Sequence, residues 1–164
     1  MKLIEKQQQE GLRRNEEKWT RPLMDAGWTA VPSVILQRQQ ALGLDPLDLN
    51  ILLQLAQYWW FPENLPHPSK KALAECMGVN VSTVRKRIAR LEAVGLIQRR
   101  ARWGKYGRQE TNFYDFTGLI AAATPYANEA IQEREQRKTE DAARRRRRGR
   151  NLVLLPGPIL GGKS

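Results

Sequence analysis

Apolar residues recur at helical spacing near the middle of the chain. Leu47, Ile51, Leu55 and Tyr58, with Leu52 and Trp59 alongside, trace one stripe and predict a buried helix over 46–60. Asp45 precedes it as an N-cap and Pro46 suits its first turn. Pro62, Pro66 and Pro68 make 61–68 a loop, because proline cannot sit in a helix interior. Helix resumes at the capping residue Ser69, runs to Met77 and breaks at Gly78. A further helix covers 82–94 and stops at Gly95. Residues 96–103 and 111–116 then read as two strands around a basic turn at 104–108, rich in Thr and aromatic residues on the return. A hairpin directly after a helix pair has the layout of a wing.

The flanks are more polar. Residues 2–19 read as a solvated helix or a partly disordered arm, with Gly11 weakening the helix. Trp28–Val31 suits a short strand between breakers, and Ser33 caps a short helix over 33–42 that Gly43 stops. After the wing, 119–123 suits a short helical turn and Pro125 opens a charged helix over 125–143, followed by the arginine run Arg144–Arg148. The expected division is a polar helix or arm at 1–27, a DNA-binding domain at 28–118, a charged helix with the arginine run at 119–148 and a flexible tail at 149–164, with an apolar patch at Leu152–Leu155.

Charge changes the picture from a fold to a partner. Lys and Arg number 28 against 17 acidic residues, giving +11 and a pI near 10.3. Such a surface favours a polyanion, nucleic acid before an anionic membrane. No apolar run approaches the roughly 20 residues that span a bilayer, and the first six residues lack the apolar core of a secretory signal. The expectation is a cytoplasmic, nucleoid-associated protein without membrane contact. Cys76 is the only cysteine, which excludes an internal disulfide and a Cys-pair zinc site, and it is expected as a small hydrophobe under its helix. His67 is the only histidine, so no metal site is expected. Trp59 and Trp60 are assigned to the core and its edge. No phosphate-cradling Gly-rich loop, His-flanked carboxylate pair or Ser–His arrangement is present, and neither enzymatic activity nor a cofactor is expected.

A helix-turn-helix needs two short helices, a tight turn and a second helix free to enter a groove. In 70–91, Leu73, Ala74 and Met77 give the first helix its buried face, Gly78 supplies the turn and Val79 can plug the space between the helices. In the second helix Val84, Ile88 and Leu91 share one face. At 100° per residue the opposite face collects Ser82, Lys86, Ala89 and Arg90, with Arg85 at its edge. Arg and Lys there can bond guanine edges and Ser can pair with several bases. Arg87 lies nearer the core edge, within reach of Glu92 or a phosphate. Ser69 and Thr83 stand near helix starts, where hydroxyls and backbone N–H groups hold phosphates. Between Ser69 and Glu110 there are 11 Lys/Arg against three Glu, a local +8. The candidate DNA-contacting set is Ser69, Lys70, Lys71, Asn80, Ser82, Thr83, Arg85, Lys86 and Arg90, with Arg99, Arg100, Arg102, Lys105 and Arg108 on the wing.

These residues carry a resemblance. From Pro66 to Phe116 the chain is similar to winged helix-turn-helix DNA-binding proteins of bacteria, plasmids and phages. It has a Pro68-Ser69 opening, Leu73-Ala74, Met77-Gly78-Val79, Ser82-Thr83-Val84, Ile88, Leu91, Gly95-Leu96-Ile97 and the aromatic return strand Phe113–Phe116. The resemblance implies a mainly α fold with a small β-wing, here with helical N- and C-terminal extensions. It implies sequence-specific binding of double-stranded DNA by a transcriptional regulator of a bacterial, plasmid, phage or other mobile element. A replication initiator at an origin, an RNA-binding protein using the arginine-rich tail and an assembly adaptor are the alternatives. Dimeric binding to repeated half-sites is a further expectation; the helices at 2–19 and 119–143 are the candidate surfaces for a second copy or a protein partner.

Overall fold

The computed structural model describes the backbone of residues 2–150 and the side chains of 10, 11 and 13–147. The arginine-run position Arg148 and the expected tail at 149–164, with its apolar patch, lie outside the residues whose side chains are described. The helices are α1 (Lys2–Trp19), α2 (Arg21–Asp25), α3 (Ser33–Gln37), α4 (Pro46–Ala56), α5 (Lys70–Met77), α6 (Val81–Ala93) and α7 (Thr117–Arg150). Strands β1 (Gln98–Arg100) and β2 (Phe113–Asp115) lie between α6 and α7 and pair antiparallel. The fold is mainly α with a small β-wing: a winged helix-turn-helix. The chain divides at Thr124/Pro125 into two units.

The first unit is built around α4, α5 and α6. Ile51, Leu52 and Leu55 of α4 meet Leu73 and Ala74 of α5 and Val84, Ile88 and Leu91 of α6 in one buried cluster. The cluster continues into Leu96, Ile97, Tyr114 and Phe116 at the base of the wing, and into Leu119 and Ala123 of α7. Asp45 caps α4: its carboxylate accepts from the Leu47 and Asp48 backbone N–H groups, and the Asp48 carboxylate accepts from the Asp45 N–H in return. This reciprocal arrangement satisfies donors that a helix start otherwise leaves bare.

Several elements differ from the sequence expectation. The helix predicted to reach residue 60 ends at Ala56. Trp59 turns inward and stacks on Phe116 with centroids 5.2 Å apart, while Tyr58, Trp60 and Phe61 are exposed. The helix closes in a tighter turn, with the Tyr58 N–H on the Leu55 carbonyl at 3.1 Å and the Trp59 N–H on the Ala56 carbonyl at 2.9 Å, ahead of the prolines of the loop. Trp28–Val31 forms no strand, and Ser33 is the first residue of α3 rather than its cap, which falls on Pro32. α3 stops at Gln37, and turns carry the chain to Gly43, whose φ of 68° suits glycine. Cys76 is exposed. At 100° per residue it lies roughly 105° from the centre of the Leu73–Ala74–Met77 stripe, too far round to be covered. The two helical pieces expected after the wing are one helix running through Pro125. Gly118 permits its start: a Cβ there would stand 1.8 Å from the Gly95 carbonyl oxygen, and the neighbouring Leu119 N–H donates to the Leu96 carbonyl at 2.8 Å.

In the second unit, residues 125–150 continue α7 as a charged helix. Glu133 and Arg137 pair at 3.1 Å across one turn, and Arg144–Arg147 are exposed. No helix among the described residues is long and apolar enough to cross a membrane.

Candidate nucleic-acid interface

The turn between α5 and α6 sets the geometry of the site. Ser69 caps α5, its Oγ accepting from the Ala72 N–H at 3.0 Å. Gly78 ends the helix in the left-handed region (φ 64°, ψ 32°), and the Val79 N–H returns to the Ala74 carbonyl at 3.0 Å. A side chain would be strained at that φ. Val79 then packs against the core between the two helices. α6 starts at Val81, with Asn80 at the cap position but making no side-chain cap bond. The Asn80 amide is therefore free to face outward, and Asn80 is exposed.

On α6 the buried stripe is Val84, Ile88 and Leu91, and Ser82, Arg85, Lys86 and Ala89 are exposed. Arg85 and Lys86 have no ion pair with any described residue. Small Ala89 lets this face approach a groove closely, while the neighbouring Ser, Arg and Lys offer donors to base edges. Thr83 is half-buried.

Arg90 behaves differently from its predicted outward role. It pairs with Asp48 and donates to the Gly43 carbonyl at 2.9 Å. The physical reason is its angular position. Arg90 and Arg87 occupy the flank of α6 that faces the start of α4. Asp48 is fully buried there, and Asp45 stands beside it. Arg87, expected near Glu92 or a phosphate, pairs with Asp45 and reaches Asp48. The Asp45 carboxyl is held below its ordinary range, chiefly by the Asp48 backbone N–H and also by Arg87. Sequence reasoning found the Asp45 cap but not this four-residue cluster. Its available signal was the spacing of Asp45 and Asp48, a cap and its third helical residue, set against two arginines three apart on α6.

The opposite flank anchors the wing. Glu92 accepts from the Arg99 Nε at 2.8 Å and from the Arg99 backbone N–H at 3.2 Å. That pairing lowers the Glu92 pKa and raises that of Arg99. Arg100 pairs with Asp115 across the strands, and Arg102 meets Glu110 at 2.6 Å. The Asp115 carboxyl is lowered mainly by the Thr117 hydroxyl and backbone N–H. Thus Arg99, Arg100 and Arg102, all predicted to contact DNA, are held on carboxylates of the same chain. Lys71 has only an exposed contact to Glu75 at 3.8 Å. Lys70 is half-buried, and its pKa is lowered first by burial and then by the nearby Arg99 and Arg85. These like charges concentrate positive potential where α5 begins.

The register of the hairpin is Gln98↔Asp115, Arg99↔Tyr114 and Arg100↔Phe113, with a further bridge between Trp103 and Gln109. Beyond that bridge lies a short 3-10 turn, Lys105–Gly107. Lys105 and Arg108 are exposed there and have no carboxylate partner among the described residues. Tyr106 adopts φ 66° and ψ 24°. A left-handed backbone costs a non-glycine residue on the order of 1–2 kcal/mol.

A buried three-helix cluster, a glycine-closed turn, an outward polar helix face and a two-stranded wing define the class as winged helix-turn-helix. Residues 42–97 match a family model described as a helix-turn-helix domain. The match spans α4, α5 and α6 and ends as the wing begins. Among solved structures, the N-terminal domain of DnaD from Geobacillus kaustophilus HTA426 is 24% identical over 72% of this chain and 96% of that chain, with a TM-score of 0.49. A possible transcriptional regulator from Methanosarcina mazei Go1 is 20% identical over 66% of this chain and 85% of that one, with a TM-score of 0.39. No curated protein matches the chain.

Proposed function

We propose that the protein binds double-stranded DNA sequence-specifically and regulates transcription in a bacterial, plasmid, phage or other mobile element. The observation that carries this reading is the outer face of α6. Ser82, Arg85, Lys86 and Ala89 are exposed on a helix fixed by a buried core. The two cations of that face have no ion pair among the described residues, while those on its flanks are neutralised. α6 enters the major groove and reads base edges. Ser69, Lys70, Asn80 and Thr83 fix the register through phosphates, as do Lys105 and Arg108 on the wing. Two copies on repeated half-sites complete the reading. The exposed Trp19, Leu23 and Trp28 (54%, 58% and 45%) support a protein contact at the N-terminal arm.

A selection from random duplexes with the full chain tests this, followed by binding measurements on the enriched site. Arg85→Ala or Lys86→Ala is expected to weaken the enriched site by about 1–3 kcal/mol and to relax the preference at one base position. An equal loss on enriched and unrelated duplexes would refute base reading by α6. A change in origin-dependent copy number with unchanged promoter output would favour replication initiation. A preference for structured RNA without selective duplex binding would remove the DNA reading.

A further inference from the structure

The tip of the wing combines features that duplex reading leaves unused. Trp103 is 64% exposed and Tyr106 is fully exposed. Neither ring packs on another ring or on a cation among the described residues. Both belong to the same short turn as Lys105 and Arg108, the wing cations without carboxylate partners among the described residues. The base of the tip is fixed by the Trp103–Gln109 bridge, by the Gly104 N–H donating to the Arg108 carbonyl at 2.9 Å and by the Glu110 N–H donating to the Arg102 carbonyl at 2.9 Å. The rings are thus carried on an ordered turn. Position 106 is the one that a stable turn would give to glycine or asparagine, because its φ is 66°. A bulky aromatic residue there stores strain and buries no surface of its own. Strained, non-glycine positions of this kind are characteristic of functional sites.

We propose that Trp103 and Tyr106 form a stacking site for an unstacked nucleobase, so that the chain prefers DNA whose duplex opens into a single strand beside the α6 site. This rests on the DNA-binding reading above and adds the form of DNA that is bound. A base offers its face to a side chain only where it is single-stranded, gapped or flipped out, since continuous duplex hides both faces in the stack. Exposed rings beside free cations supply the two attractions that single strands use: stacking on the base and charge on the backbone. A wedge into an intact minor groove is the competing use of such rings, and it needs no free strand.

The test uses the full chain and fluorescence anisotropy. One labelled probe is a blunt mixed-sequence duplex of two helical turns. The others are the same duplex carrying an oligo-dT extension on either strand. An extension is expected to tighten binding by about fivefold or more. The double variant Trp103→Ala/Tyr106→Gly is expected to lose that preference and keep its blunt-duplex affinity. Glycine takes the φ of position 106 without strain, so this variant leaves the turn intact. The ring-preserving variant Trp103→Phe/Tyr106→Phe is expected to retain the preference. Equal binding of blunt and extended probes overturns the proposal, as does a preference that survives in Trp103→Ala/Tyr106→Gly. An equal loss on every probe in that variant overturns it in favour of the wedge. Failure of the unaltered chain to bind any probe removes the DNA reading itself.

Discussion

The distribution of carboxylates across the helix-turn-helix predicts how steeply DNA binding will depend on salt. Between Ser69 and Glu110 the chain carries 11 cations. Arg87, Arg90, Arg99, Arg100 and Arg102 are held on carboxylates, and Lys71 lies near Glu75. That leaves Lys70, Arg85, Lys86, Lys105 and Arg108 to neutralise phosphates. Each neutralised phosphate contributes about −0.9 to the slope of log K against log salt, so five give a slope near −4.5 and all eleven would give about −10. The smaller slope weakens binding by roughly 500-fold between 50 and 200 mM salt. The arginine run adds to this wherever it reaches the backbone, so the measurement pairs the full chain with a variant in which Arg144–Arg148 are changed to Gln. Anisotropy titrations of one duplex across that salt range supply both slopes. The Gln variant is expected near −4.5, and the difference from the unaltered chain counts the phosphates met by the run. A slope of about −8 or steeper in the Gln variant would contradict this count, because the paired arginines would then have left their carboxylates for DNA.

Other consequences follow from the same contacts. Lys105→Ala/Arg108→Ala should flatten the slope by about 2 and weaken all duplexes alike, which salt titrations on two unrelated sequences check. Asp48→Asn should destabilise the fold by about 2 kcal/mol: it removes charge-assisted bonds to Arg87 and Arg90, discounted because both arginines are partly exposed and can rehydrate. A urea midpoint within error of the unaltered chain would contradict that figure. Gly118→Ala should cost about 1–3 kcal/mol through the clash with the Gly95 carbonyl, read as a lowered thermal midpoint. Asp45, Glu92 and Asp115 have folded pKa values below their ordinary 3.8, 4.5 and 3.8. The stability they contribute is fully present above those ordinary values and is lost as the pH falls through the depressed ones. Asp115→Asn should therefore make the acid limb of the stability curve shallower, as measured by denaturation at pH steps below neutrality.

The helix pair was legible because its signals are local and agree. Ser69 as a cap, Gly78 as the turn and the Val84–Ile88–Leu91 stripe each specify the same geometry, and the structure realises all three. The outward face of α6 was legible for Ser82, Lys86 and Ala89 because helical angle alone decides exposure. Arg90 is exposed as the angle requires, but angle says nothing about what a long side chain can reach, and its partner Asp48 stands 42 residues away in sequence. The same limit applies to Arg99, Arg100 and Arg102, which counted as free charge until cross-strand and helix-to-strand contacts placed carboxylates beside them. The end of α4 was misjudged because Tyr58 and Trp59 fit a helical period, whereas the Trp59 stack on Phe116 depends on a residue far along the chain.

These internal pairings bear on how one helix can read sequence in a strongly basic protein. Unscreened cations all around α6 would attract phosphate from every side and favour many docking angles of similar energy. Here one flank is tied to α4 through Asp45 and Asp48, and the other to the wing through Glu92. The charges left free lie on the outward face, at the start of α5 and at the wing tip. Arg87 and Arg90 thus fix the orientation of α6 in the domain, and Arg85 and Lys86, the base-reading residues of the proposed function, project from that fixed frame. The distinction is measurable. Removing Arg90 should lower stability with little change in salt slope, whereas removing Lys86 should do the reverse.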